Sequence, residues 1–291
     1  MDYGLILPSI GEAASREGIE AACEAAERHG FSDVWGTDHV LVGADAADDY
    51  ARTYEIVTLL AWVAGRYRTV RVGASVVVVP MRNAVVLAKE LATIDALADG
   101  RLIAGFGAGW NRREFANLGL DEQFHVRGAY LEETIALCRH LWSGNREPFQ
   151  GRFHSFDDFF FEPLPAQRDA VPIWLGGRHD KAIERVGRVA DGYHATASAP
   201  ASIAGRVPAI RAAAEGAGRP MPVLSARIRV ELDAPAQKFP TLHGTPAEVA
   251  AQVRDYGDVG VTHLALLFPS REPEALTREI DRFVAEVLPQ V

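Results

Sequence analysis

The hydrophobic positions of the chain follow two alternating patterns, continuous β-branched runs and longer segments with helical spacing. The clearest case lies in residues 71–110, where VGASVVVVP is typical of a strand buried on both faces of a parallel sheet. The next segment has apolar residues at helical spacing. It begins after Asn83 and ends at Asp99-Gly100, which fits an N-cap and a left-handed C-terminal glycine. A second strand, LIAGF, then ends in a glycine-rich turn. Residues 71–110 therefore predict one parallel strand–helix–strand unit.

The same unit repeats along the chain. Gly30, Gly65 and Gly100 close successive helical segments and lie thirty-five residues apart, which is the length of one strand–helix unit. The predicted strands are 3–7, 33–35, 72–80, 102–106, 172–175, 193–195, 223–232 and 262–267. The predicted helices are 15–29, 54–64, 83–98, 111–118, 127–142, 183–189, 203–215, 245–256 and 274–287, and residues 41–52 are predicted to form a long loop.

Eight such units predict an α/β fold, a closed (β/α)8 TIM barrel, rather than an open doubly wound sheet. We expect a single domain over residues 1–291, because no shift in composition marks a linker. An insertion at about residues 143–170, after the fourth strand–helix unit, interrupts the repeat and reads as a hairpin over 148–161.

Composition and charge narrow the class of partner. The net charge of −9 disfavours a nucleic acid or an anionic membrane as the main partner. No apolar run is long enough to span a bilayer, and the N-terminus MDYGLILPSI has no signal-peptide pattern. Cys23 and Cys138 lie in helical patterns, as buried apolar residues of a reduced compartment would. Together with the N-terminus, they predict a cytoplasmic protein. The nine histidines lack metal-binding spacing, so we expect no metal site.

Candidate chemistry lies where the predicted strands end, because ligands of such barrels bind at the C-terminal ends of the strands. Asp38-His39 follows the second strand and places a carboxylate beside an imidazole that titrates near neutral pH. The alternative is that Asp38 caps a turn and His39 is a loop histidine.

Two glycine-rich turns are further candidates. Gly107-Ala108-Gly109 would let the backbone approach a flat or phosphorylated ligand, although the pattern alone favours a tight turn. Trp110 either stacks on a ring or roofs the barrel. The turn of Gly176, Gly177 and Arg178 stands directly before a helix, where free N–H groups and a guanidinium would bind phosphate. The alternative is an ordinary strand-to-helix turn with a surface arginine.

Charged residues alternate along the seventh strand. Arg227, Arg229 and Glu231 would need partners or a polar cavity if they faced the inside of a barrel. From the pattern alone, a structural role is favoured over a role in binding substrate.

The combined motifs resemble the luciferase-like monooxygenase superfamily, and most closely its branch of deazaflavin (coenzyme F420)-dependent oxidoreductases. The matching segments run in the family's order from about residue 3 to residue 195, and the last third fits only in pattern. They are FSDVWGTDHV, VGASVVVVPMRNAVVLAKELATIDALADGRLIAGFGAGWNRREFANLG, RGAYLEETIALCRHLWSG, FQGRFHSF and VPIWLGGRHDKAIERVGRVADGY.

The resemblance implies how these residues would meet the coenzyme. His39 would lie near the reacting edge of the ring, with Asp38 orienting it. A cis peptide between Ser75 and Val76 would form a bulge that supports one face of the ring. The remaining expected coenzyme contacts are Gly107, Gly109 and Trp110 at the ring, and Gly176, Gly177 and Arg178 at the phosphate. The resemblance also implies a luciferase-like barrel, often in a homodimer.

One position departs from the family pattern. Some sugar-phosphate dehydrogenases of this family have a glutamate where this chain has Trp110. The difference argues against an acid catalyst at this position and against a sugar-phosphate substrate. Glu114 is nearby, but we expect it one turn into the next helix.

The resemblance leaves the coenzyme and the activity open. An F420-dependent enzyme would move a hydride to or from a small organic substrate, whereas an FMN-dependent monooxygenase would use oxygen and reduced flavin from a separate reductase. Basic residues after the strand ends mildly favour F420, whose tail is a poly-glutamate: Arg112, Arg113, Arg178 and Lys181. The third alternative is a barrel that binds a coenzyme without turnover.

Overall fold

A parallel barrel organises the molecule in the computed structural model, which describes residues 1–50 and 52–291. Its strands are β1 Asp2–Ile6, β2 Asp33–Gly36, β3 Arg71–Ala74, β4 Val77–Val78, β5 Leu102–Gly107, β6 Phe149–Gln150, β7 Ser155–Phe156, β8 Ile173–Leu175, β9 Gly192–Thr196, β10 Val223–Leu232, β11 Thr241–Gly244 and β12 His263–Leu267. The parallel ring runs β1-β2-β3-β5-β8-β9-β10-β12 and closes where β12 pairs with β1. The predicted (β/α)8 barrel is therefore confirmed.

The other strands decorate this ring. β4 pairs in parallel with β5, and β11 pairs in parallel with the C-terminal part of β10, residues 229–232. The sequence pattern predicted neither β4 nor β11 as a separate strand. β6 and β7 pair antiparallel, which confirms the predicted hairpin at 148–161. That the chain is a single domain stays a prediction.

Helices separate the barrel strands. They are α1 Arg16–His29, α2 Ala47–Tyr50, α3 Ile56–Arg66, α4 Ala84–Leu97, α5 Arg112–Asn117, α6 Asp121–Trp142, α7 Asp180–Val189, α8 Pro200–Ala204, α9 Val207–Gly216, α10 Pro246–Asp258 and α11 Pro273–Glu286. Asn83 caps α4 by accepting from the Val86 N–H, and Gly30 ends α1 with φ +70°. Both features confirm the predicted ends.

Three predictions about helices were wrong. Gly65 does not close a helix but lies inside α3. The predicted helix 203–215 is two helices, α8 and α9, with Pro208 in the first turn of the second. The predicted loop 41–52 contains α2, and its residue 51 lies outside the described residues.

Two indole rings fill the inside of the barrel. Trp35 and Trp174 stack with ring centroids 5.2 Å apart, and His194 stacks on Trp35 at 4.8 Å. Glycines make the room, since a Cβ at Gly73 would lie 2.5 Å from Trp35 and one at Gly192 would lie 2.5 Å from Trp174. The C-terminal mouth of the barrel therefore lies above a packed layer rather than an open channel.

Candidate active site

The predicted site residues meet at one end of the barrel. The segments that carry them follow β2, β3, β5 and β8 at the C-terminal ends of these strands. The peptide bond between Ser75 and Val76 is cis, as the family resemblance implied. Val76 is in turn the nearest neighbour of a Cβ built on Gly107, at 2.4 Å, and lies 3.8 Å from one built on Gly176. The structure therefore brings the bulge and both glycine turns together.

Asp38 binds the segment after the bulge and not His39. Its buried carboxylate accepts hydrogen bonds from the Val78 N–H and from Arg82, both at 2.8 Å. Burial raises the pKa of this carboxyl above its ordinary value, although the charge of Arg82 and the Val78 N–H act to lower it. The expectation that Asp38 orients His39 was wrong, because both carboxylate oxygens are used elsewhere.

Glu114 is the group that holds His39. Its Oε2 lies 2.8 Å from His39 Nδ1, and its Oε1 accepts the Val40 N–H at 2.6 Å. Burial would raise the pKa of Glu114, but its hydrogen bond with His39 and those from the backbone lower it below the ordinary value. An ionised Glu114 accepts only, so neutral His39 carries its proton on Nδ1 and Nε2 can accept one.

The sequence placed Glu114 too far from the mouth. Asn111 caps α5 by accepting from the Glu114 N–H, so Glu114 lies in the first turn and not one turn further on. The N-cap pattern of Asn111 was the signal available, but only the path of the 40–43 loop brings His39 to this helix start.

Aromatic side chains wall the space beside His39. Tyr50 lies with its ring centroid 4.4 Å from that of His39, and Trp110 lies 6.1 Å from His39 and 5.9 Å from Tyr50. Trp110 is 62% exposed, so its ring face is free to meet a planar ligand. Tyr50 was missed because its segment was predicted to be a loop.

Arg227 places a cation at the base of the mouth. Its Nη1 donates to the Ser75 carbonyl at 3.0 Å and to Thr37 Oγ1 at 3.1 Å. Loss of hydration lowers the pKa of Arg227 to about 10, which leaves it charged at neutral pH. Among residues 1–50 and 52–291 no carboxylate forms an ion pair with it, whereas Arg229 pairs with Glu231. The structural role expected for strand-seven charges therefore fits Arg229, and Arg227 remains available to a ligand.

The double-glycine turn after β8 has the geometry expected of an anion site. Gly177 has φ +146°, and a Cβ there would lie 2.6 Å from the Ala182 Cβ. Its carbonyl accepts from Tyr193, and Arg178 donates to the Thr196 carbonyl at 2.7 Å. Among the residues that the structure describes, no side chain caps the N-terminus of α7, so its first N–H groups can face a phosphate.

Gly109 needs its own conformation as well. It has φ +80°, and a Cβ there would lie 2.6 Å from Val78 Cγ1 and 2.8 Å from the ring of Phe115. Its carbonyl accepts from Arg127 at 3.2 Å. The turn therefore packs tightly, whatever it binds.

Metal sites and membrane-spanning helices are both absent from residues 1–50 and 52–291. In the part of the chain that the structure describes, no three His, Cys, Asp or Glu side chains are grouped to hold a metal ion. Among the described helices, none combines the length and the apolar composition needed to cross a bilayer.

The fold and this mouth define an oxidoreductase-like barrel, in which a histidine–carboxylate pair stands beside a glycine-bordered bulge. The chain belongs to the luciferase-like monooxygenase family, whose family model matches residues 6–237.

Known relatives use two kinds of coenzyme by name. An F420-dependent glucose-6-phosphate dehydrogenase of Kineococcus radiotolerans is 27% identical over 91% of this chain and 90% of its own. An FMNH2-dependent dimethylsulfone monooxygenase of Pseudomonas putida is 29% identical over 67% of this chain and 53% of its own. In structure, an F420-dependent secondary alcohol dehydrogenase superposes with a TM-score of 0.84 and 20% identity, covering 100% of this chain and 98% of that one. This last likeness supports the fold.

Proposed function

We propose that the protein is an F420-dependent oxidoreductase that moves a hydride between the coenzyme and a small organic substrate. The carrying observation is the mouth itself, where Val76 packs against Gly107 and Gly176 near a histidine whose Nδ1 is held by Glu114. The relative with the deazaflavin activity matches nearly the whole chain, which supports the same coenzyme here.

The residues of the mouth fit a flat, phosphorylated coenzyme. The coenzyme ring would rest on Val76, which can occupy its position because Gly107 has no side chain. The exposed Trp110 would border the ring. Gly176, Gly177 and Arg178 would hold the phosphate at the start of α7. When bound, a deazaflavin supplies a ring carbon that accepts or releases a hydride.

The side chains of this chain supply proton transfer and orientation. Glu114 fixes the His39 ring through Nδ1, and His39 Nε2 takes a proton from the substrate oxygen or returns it. Arg227 holds an electron-rich group of a ligand at the base of the mouth. The substrate class that suits these groups exchanges a hydride at carbon and a proton at oxygen, as an alcohol–carbonyl couple does.

The rival activity is an FMN-dependent monooxygenase supplied with reduced flavin by a separate reductase. The dimethylsulfone monooxygenase relative supports it. Titrations with F420 and with FMN, read by absorbance and fluorescence, separate the two proposals. Oxygen uptake with reduced FMN and substrate would end the hydride proposal, and tight binding without turnover across a broad panel would favour a non-catalytic barrel.

The phosphate site gives a matched pair of variants. Gly177→Ala and Gly177→Asp both place a Cβ against Ala182, so both suffer the same strain. Only the aspartate adds a negative charge, and we expect it to raise the Kd for F420 about tenfold beyond the alanine variant. Fluorescence titration measures both Kd values, and equal Kd values would contradict a phosphate site at this turn.

The homodimer and the cytoplasmic location stay predictions. Large apolar side chains are exposed on neighbouring helices α3 and α4, and we propose this face as the contact between two copies. They are Trp62, Val85, Val86 and Leu97. Sedimentation of the protein and of a Leu97→Glu variant would decide this, since a monomer in both cases contradicts it.

A further inference from the structure

A continuous hydrogen-bonded chain of buried polar groups crosses the inside of the barrel. Ser75 Oγ lies 2.9 Å from His194 Nε2, and His194 Nδ1 lies 2.8 Å from Ser225 Oγ. Ser225 Oγ lies 2.7 Å from His263 Nδ1, and His263 Nε2 lies 2.8 Å from Asp33 Oδ1. All five residues are buried, and none of the roles proposed above uses the middle three.

The chain joins two ends of the barrel. Ser75 lies at the ligand mouth after β3, where Arg227 contacts it. Asp33 begins β2 at the opposite end, where its Oδ2 accepts from Ser32 and from the partly exposed Arg71. The links therefore lead from the ligand site to a region that solvent reaches by another route.

The donors and acceptors along this chain have a consistent order. Burial lowers the pKa of His194 to about 3, followed by the effects of His263 and Arg227, so this ring is neutral. Burial would raise the pKa of Asp33, but its hydrogen bond with His263 and the charge of Arg71 hold it below the ordinary value, so this carboxyl is ionised. With an uncharged His263 the donors then point one way, from Ser75 through His194, Ser225 and His263 to Asp33.

The position of this chain argues against a purely structural role. Barrel interiors are normally filled by branched apolar side chains, and well-packed apolar groups are often at least as stabilising as buried polar networks. Trp35 and Trp174 already fill this layer around the two histidines. Packing alone does not require the hydroxyl and imidazole groups to form an unbroken series of hydrogen bonds.

We propose that Ser75, His194, Ser225, His263 and Asp33 form a proton relay between the ligand mouth and the opposite end of the barrel. For each proton taken up at Ser75 Oγ, one O–H or N–H bond breaks and one forms at every link, and Asp33 releases one proton to solvent. No electrons move along the relay, and the reverse shifts return the proton. The proton is the one that accompanies hydride transfer, so this step rests on the proposed function.

The order of the relay is tested without coenzyme. Nitrogen NMR of the 15N-histidine-labelled protein should find His194 protonated on Nδ1 and His263 protonated on Nε2. Ser225→Ala should abolish the single tautomer of His194, and Ser225→Thr should restore it. His194 protonated on Nε2 alone, or on both nitrogens, would overturn the relay whether or not the hydride activity is right.

Conduction is tested by the rate of F420 reduction or oxidation in mixtures of H2O and D2O. Ser225→Ala should lower this rate about tenfold and change a curved dependence on deuterium content into a linear one, with Ser225→Thr as the rescue. Thr134→Val removes a buried hydroxyl in α6, outside the relay, and serves as the matched control. An unchanged rate and dependence in Ser225→Ala would overturn the relay while leaving the hydride proposal intact. Absence of F420 turnover in the unaltered protein would instead end the proposed function, and the NMR order would then decide the relay.

Discussion

Replacing His39 by alanine should lower kcat by about 10²–10⁴-fold, because the proposed acid–base group is lost. The fold should survive, since His39 lies in the mouth and contributes no strand or helix. Steady-state kinetics with F420 and circular dichroism measure the two expectations. His29→Ala, which alters the end of α1 beside Asp281, is the control and should keep its turnover.

Glu114 should behave as part of the same unit. Glu114→Gln keeps the size of the side chain but removes the charge that holds His39 Nδ1, and we expect kcat to fall about 10- to 100-fold. The double variant should be little slower than His39→Ala alone, because groups that act together are not additive. Unchanged rates in His39→Ala would remove this pair from the mechanism, and additive losses would separate their roles.

The protein should lose stability steadily as the pH falls from about 6.5 to about 3, because His194 stays neutral in the fold and takes a proton when unfolded. The pKa in the fold, about 3, is below the ordinary 6.5, so the unfolded chain binds more protons in this window and stability rises with pH. One such group contributes a slope of about 1.4 kcal/mol per pH unit, or about 5 kcal/mol over the window. The groups that act on it are His263, Arg227 and Asp33.

Urea unfolding at several pH values measures this slope. His194→Gln cannot titrate, so its free energy of unfolding should be lower at neutral pH but should fall less steeply with acid. His125→Gln changes an exposed histidine on α6 and should keep the wild-type slope. Equal slopes for His194→Gln and the wild type would contradict a neutral buried ring.

Local patterns predicted the elements and their order. Asn83 and Gly30 mark helix ends through contacts within one turn, and the strands are short apolar runs, so both are visible along the chain. The run VGASVVVVP was predicted as one strand, yet β3 ends at Ala74 and β4 begins at Val77. The valines run without interruption from residue 76 to residue 79, so their pattern does not show that β4 begins only at Val77, and only the family resemblance supplied the break.

Contacts between loops could not be predicted in the same way. The parallel barrel places all strand ends at one rim, which is why Asp38, Gly107 and Gly176 were found as candidates. Which of them touch depends on the paths of loops, and so the pairing of Glu114 with His39 was missed and that of Asp38 with His39 was wrong. The roles of these residues in binding and turnover stay predictions.

The stacked pair Trp35 and Trp174 sets a floor beneath the proposed ligand site. A larger substrate cannot be accommodated by deepening the barrel, since the indoles are themselves locked by the glycine backbones that face them. Room for new substrates has to come from above, through changes in the 40–50 segment. Close relatives with different substrates should therefore differ mainly in that segment and should keep the two indoles.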